Sequence, residues 1–177
     1  MLKLLFIAIV TALSFGQFSV LGQIGESKVY LFDALIILYV LIGLIYLLGI
    51  ERKFFVSNYL YPFLLFILVV VISMIANFYR YTPPQVLIAG FYGIRFLFYV
   101  LAAIVTHNSI PRELVIKIFM LSGFFVAIGG FIQLAVLPDF TMLDESLGWD
   151  PHKNRLASTF FDPNFTGGYL VLCFVLS

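Results

Sequence analysis

An all-α, polytopic bundle of transmembrane helices is the fold class this sequence predicts, on three observations. Apolar residues make up 63% of the 177 positions, against about 45–50% in an ordinary soluble chain. Charged residues fall to 11%, where about 25% is usual. The apolar residues also gather in runs of about 18–24, the length that crosses roughly 30 Å of hydrocarbon at 1.5 Å per residue. A single soluble core could not bury so much apolar surface. The 21 Phe and 10 Tyr add to the pattern, since Tyr favours the membrane–water boundary.

Residues 1–177 read as the N-terminal part of one membrane domain, with five complete spans and the start of a sixth. The first, 4–22, follows Lys3; its length beyond Ser14 and its lack of a small-x-small cleavage site favour a span over a signal peptide. The second, 29–50, carries Asp33 near its start, and the third, 59–76, is flanked by Tyr59, Tyr61, Tyr79 and Tyr81. The fourth, 84–106, begins at a proline and holds Arg95 at its middle. The fifth, 114–137, holds Lys117 near one end and Gln133 near the other. A sixth starts near Phe165 and reaches Ser177 after about 13 residues, too few to span, so the chain is expected to be a fragment. All are too long and too uniformly apolar for barrel strands. Gly90, Gly93, Gly123, Gly129, Gly130, Gly167 and Gly168 allow close helix approach.

Lys and Arg in the short connections set the orientation. With a cytoplasmic N-terminus the inner side carries Lys3, Arg52, Lys53, Arg112 and Lys117, and the outer side Lys28 and Arg80. The last loop, 138–164, adds Lys153 and Arg155 to the outer side but is long enough to cross regardless of charge. It is therefore expected to be extracytoplasmic. Acidic residues (Glu26, Asp139, Asp144, Glu145, Asp150 and Asp162) collect there too, without bearing on orientation. The net charge of +1 argues against a nucleic-acid partner. One cysteine, Cys173, and two histidines make neither a disulfide framework nor a metal cluster.

Loop 138–164 is the longest connection, and loops beyond about 12–15 residues are often functional. It contains the only Trp, Trp149, with Pro138, Pro151 and Pro163. His152, Lys153 and Arg155 stand within four positions. They precede Asp162-Pro163-Asn164, a helix start in which Asp162 or Asn164 can cap and Pro fits the first turn. A helix N-terminus attracts anions, and an arginine beside it would complete a diphosphate cradle. Asp162 works against this, because its carboxylate satisfies the same helix end. Arg155 can equally pair with Asp162 or Asp150.

The string Arg155-Leu-Ala-Ser-Thr-Phe-Phe-Asp-Pro-Asn-Phe-Thr-Gly-Gly-Tyr-Leu170 resembles the signature of the bacterial O-antigen ligase and polymerase superfamily. Tyr30-Leu-Phe-Asp33 and Tyr92-Gly-Ile-Arg95 are similar to recurring features of those proteins. The resemblance is specific over about fifteen residues and general over the whole topology. It implies a GT-C-like glycosyltransferase of the bacterial cytoplasmic membrane, working without metal or cofactor. Such an enzyme moves a glycan from an undecaprenyl-diphosphate carrier to a lipid, glycan or protein acceptor at the outer face. It also implies that Arg155 binds the diphosphate, with Asn164 and Arg95 as further candidates. The catalytic base would lie beyond Ser177, not at His152, so this chain alone should be inactive. The alternative is a transporter or flippase for lipid-linked or amphipathic substrates, which glycine-rich helices and an intramembrane Arg would also suit.

Arg95 has two readings. At about 16 Å from either end of its span it must face protein or a wet cavity, since lipid would cost about 2.5–3.5 kcal/mol. It can be a structural partner of Asp33 or backbone carbonyls, or it can sit near the carrier diphosphate. Asp33 lies roughly 10 Å shallower, so a direct pair would require tilt or snorkelling. Lys117 is expected to snorkel to the inner surface, and Gln133 to form an interhelical hydrogen bond.

Overall fold

The computed structural model describes residues 1–25, 27–51, 55–142 and 151–176. Glu26, Arg52, Lys53, Asp144, Glu145, Trp149, Asp150 and Ser177, which enter the sequence reading above, lie outside the described residues. Among the described residues there are six α-helices: α1 (Leu2–Ser14), α2 (Leu31–Ile45), α3 (Tyr61–Ala76), α4 (Pro83–Ser109), α5 (Arg112–Val136) and α6 (Pro163–Leu176). A two-stranded sheet, β1 (Val20–Ile24) with β2 (Ser27–Tyr30), separates α1 from α2. Helix α2 runs on through a π-helical turn, Tyr46–Glu51. Four helical stretches, Leu31–Glu51, Asn58–Ala76, Pro83–Ser109 and Arg112–Val136, are long and apolar enough to cross a membrane.

The expected first span differs. Its helix stops at Ser14, is followed by a 3-10 turn at Gly16–Ser19, and the chain then enters β1. Thirteen residues of helix cover about 20 Å, short of the roughly 30 Å of a bilayer core. The break is at Gly16, whose φ is +49°, and a Cβ there would lie 2.5 Å from the Thr159 carbonyl oxygen. Only glycine meets both demands, and a hydropathy pattern does not register either.

Contacts divide the chain into two compact units, Met1–Phe6 with Leu21–Pro111, and Ile7–Val20 with Arg112–Ser177. In the first, α2 and α3 each pack on α4. Gly43 of α2 lies against Val105, leaving no room for a side chain. Tyr39 is fully buried, its hydroxyl 3.1 Å from that of Thr106, with the Phe6 ring beside it. Helix α4 is capped by Thr82, whose N–H donates to Gln85 at 3.0 Å, with prolines in the first turn. It ends where Ile110, extended before Pro111, leaves the helical region. Helix α3 has no buried residue; it touches α4 through Phe66 on Phe96 and at Gly93, opposite Val70.

In the second unit, α5 packs on α6 and on the segment before α6. Val126, Phe160, Tyr169 and Cys173 form its core. Gly123 faces Cys173, where a Cβ would come within 2.7 Å. A chain of hydroxyls links Ser14, Ser122 and Tyr169. In an apolar interior each such group needs a partner, so this chain fixes which faces meet.

Candidate functional site

The described ends of the loop named by the sequence pair with each other. Asp139 and Lys153 form an antiparallel bridge, with Phe140 N–H donating to the His152 carbonyl at 2.9 Å and Asn154 N–H to the Pro138 carbonyl at 2.8 Å. The Lys153 ammonium sits 3.0 Å from the Asp139 carboxylate. The Thr141 hydroxyl first, and Lys153 second, hold the Asp139 carboxyl below its ordinary range. His152 is buried, its ring centroid 4.3 Å from that of Phe140. Of the three clustered basic residues, one is therefore buried and one is paired. Arg155 is exposed and forms no ion pair among the described residues.

The backbone around Arg155 is firmly held. Gln133, one turn from the end of α5, accepts the N–H of Ala157 at 2.9 Å and of Ser158 at 3.3 Å, and donates to the Leu137 carbonyl at 2.8 Å. Ser158 donates its hydroxyl to the Val126 carbonyl, Thr159 to the Ser14 carbonyl and Thr166 to the Ala157 carbonyl, each at 2.6 Å. Gly130 lies directly against Leu156, and a Cβ on Gly129 would meet the Ser158 hydroxyl at 3.3 Å. These two glycines open the face of α5 on which the irregular segment lies. Non-helical backbone beside a membrane span is stable only when protein supplies its hydrogen bonds. An N–H left unpaired away from water costs about 1–3 kcal/mol. Gln133 was expected to bond another helix; it bonds this segment instead.

Asn154, Ser158 and Phe161 all have positive φ, between 50° and 55°. Asparagine tolerates the left-handed region, but Ser and Phe do so at a cost of about 1–3 kcal/mol each. Such strain persists only where surroundings over-determine it, and it clusters at functional sites. No sequence signal marks Ser158 or Phe161 for this conformation.

Helix α6 opens at the Asp162-Pro163-Asn164 start. The Asp162 carboxylate accepts the N–H of Asn164 at 2.7 Å and of Phe165 at 3.0 Å. The opposing role foreseen for Asp162 is thus the one the structure shows: it caps α6 and does not pair with Arg155. The backbone N–H of Asn164 is taken, and what Asn164 offers a ligand is its exposed side chain.

Arg95, in the other unit, is placed differently. Its Nε and Nη2 donate to the two Asp33 oxygens at 2.8 and 2.6 Å. Nε also donates to the Tyr99 hydroxyl at 2.7 Å, and that hydroxyl donates to Asp33 at 2.6 Å. A longer contact, 3.4 Å, runs from Nη1 to the Lys28 carbonyl. Asp33 further accepts the Tyr30 N–H at 3.0 Å, capping α2. Four donors thus converge on one carboxylate, about its full capacity. The rings of Tyr30, Phe32 and Tyr99 stand 5.5–5.9 Å from the guanidinium carbon. This is the structural alternative of the two left open for Arg95, with Asp33 as its partner. The depth gap closes because a helical side chain leans toward its helix N-terminus. Asp33 meets Arg95 and Tyr99 while Tyr39 meets Thr106, so α2 and α4 run in the same direction and Arg95 leans toward the start of α2.

Among the described residues no group of three or more His, Cys, Asp or Glu is placed to hold a metal ion. No protein-family model, no curated protein and no solved structure matches this chain.

Proposed function

We propose that this chain belongs to a membrane glycosyltransferase of the O-antigen ligase or polymerase type, built on a GT-C-like bundle. In this reading the N-terminus is cytoplasmic and loop 138–164 faces outward in the bacterial inner membrane. A glycan leaves an undecaprenyl-diphosphate carrier there and passes to a lipid, glycan or protein acceptor. The observation that carries the reading is Arg155: an exposed guanidinium with no ion pair among the described residues, on a backbone that is hydrogen-bonded and strained. A departing diphosphate gains negative charge, and a fixed guanidinium stabilises it through two parallel hydrogen bonds. The Asn164 side chain, at the start of α6, is a second polar contact for the same headgroup. Because Asp162 caps α6, the grip rests on Arg155 more than on the helix end. Arg95 serves as a strut. Its fixed partners favour a transferase scaffold over a transporter, in which a midplane charge would line the path of substrate or coupling ion.

Arg155→Ala in the full-length protein tests the proposal. Surface glycan should fall at least about a hundredfold, the scale for removing one transition-state donor, with membrane levels unchanged. Wild-type glycan from this variant would remove the assignment.

A further inference from the structure

We infer that Gln133 is the positioning residue for Arg155. The inference rests on the diphosphate reading above and adds to it the residue that sets the geometry of the grip. Arg155 is three positions from the left-handed Ser158 and one from the left-handed Asn154. Residues 154–157 lie outside any helix or strand and lead into a short 3-10 turn, Ser158–Phe160. The side-chain oxygen of Gln133 accepts two consecutive N–H groups, those of Ala157 and Ser158. Its amide nitrogen is anchored on the Leu137 carbonyl, so the acceptor is itself held in direction. Gly130 lets Leu156, the residue next to Arg155, sit against the face of α5 that bears Gln133. Ala157 and Ser158 are buried while Arg155 is exposed. The clamp therefore holds the segment just behind the guanidinium and leaves the guanidinium free to meet a ligand. Without the oxygen acceptor, the two N–H groups must turn toward water or another carbonyl, and Arg155 turns with them.

Two substitutions separate the parts of the claim. Gln133→Met keeps length and removes the oxygen acceptor; Gln133→Glu keeps an acceptor for both N–H groups. Each is placed in the full-length protein with Cys173→Ala and Arg155→Cys, and the rate of thiol labelling by a charged methanethiosulfonate is read. In parallel, the Gln133 variants with Arg155 intact are titrated with farnesyl diphosphate as a short carrier analogue. Gln133→Met should change the labelling rate severalfold and weaken farnesyl diphosphate about tenfold, while Gln133→Glu, which keeps the acceptor and loses the bond to Leu137, changes labelling less than Gln133→Met. Labelling by Gln133→Met at the wild-type rate overturns the positioning role. A changed labelling rate, with farnesyl diphosphate affinity indifferent to Arg155→Ala, supports the positioning role and overturns the diphosphate reading instead.

Discussion

Arg95 and Arg155 are the same side chain in opposite circumstances. Arg95 is held in helix α4 by a bidentate pair with Asp33, by the Tyr99 hydroxyl and by the rings of Tyr30, Phe32 and Tyr99. Arg155 is exposed on a segment whose own backbone, not its side chain, is held by the protein. An arginine whose three guanidinium nitrogens each have a protein partner specifies packing. One whose donors are open while its backbone is fixed is preorganised for a ligand, because little freedom is left to lose on binding. The difference lies in their neighbours: the Asp33 carboxylate meets Arg95, and no carboxylate among the described residues pairs with Arg155.

That contrast can be broken by substitution, beginning with the largest effect. Asp33→Ala leaves the Arg95 guanidinium without its carboxylate, and breaking a buried pair in this way costs about 3–5 kcal/mol. The thermal midpoint of the purified protein should fall sharply and its membrane level with it. Asp33→Asn combined with Arg95→Gln should cost less than the two single changes added, since each single change leaves a charge unpaired and the double change leaves none. Unchanged thermal stability in Asp33→Ala would mean the pair holds nothing.

Gly16→Ala comes next. It places a Cβ on the Thr159 carbonyl at a left-handed backbone position, for about 1–3 kcal/mol. A thermal midpoint equal to wild type would show that the break after α1 is looser than described. Asp162→Ala removes the cap of α6 and should cost about 1 kcal/mol. It also frees the N–H groups of Asn164 and Phe165, so farnesyl diphosphate affinity should hold or rise; a fall would place Asp162 itself among the ligand contacts.

The smallest effect belongs to Asp139. Its carboxyl is held low in the folded protein, so the stabilising contribution is present at neutral pH and fades as pH falls through the folded-state value. Thr141→Val and Lys153→Met should each raise the titration midpoint of Asp139, because the hydroxyl and the ammonium both hold the carboxyl low. Carboxyl-resolved NMR titration of the two variants checks this, and an unmoved midpoint in either would contradict the local geometry.

The four long apolar helices were legible in the sequence because lipid imposes length and composition directly. Predicted bounds of 29–50, 59–76, 84–106 and 114–137 meet observed helical stretches at Leu31–Glu51, Asn58–Ala76, Pro83–Ser109 and Arg112–Val136. The stop of α1 at Ser14 was not legible, because it depends on a carbonyl from Thr159, far along the chain. Asp33 was legible as the partner of Arg95, but its reach was not. Depth counted along straight helices omits the lean of the side chain. Arg155 and the Asp162-Pro163-Asn164 start were visible as residue types in order. The positive φ of Ser158 and Phe161, and the hold of Gln133 on Ala157 and Ser158, belong to a segment whose residues Leu156 and Ser158 lie against Gly130 and Gly129 of α5, a juxtaposition that residue order does not show.

The most direct measurement is the affinity of the full-length protein for farnesyl diphosphate with Arg155→Lys, which keeps the charge and removes the planar pair of donors. About tenfold weaker binding, with folding and membrane level unchanged, is the expected result. Affinity equal to wild type would mean that Arg155 does not grip a diphosphate through its guanidinium.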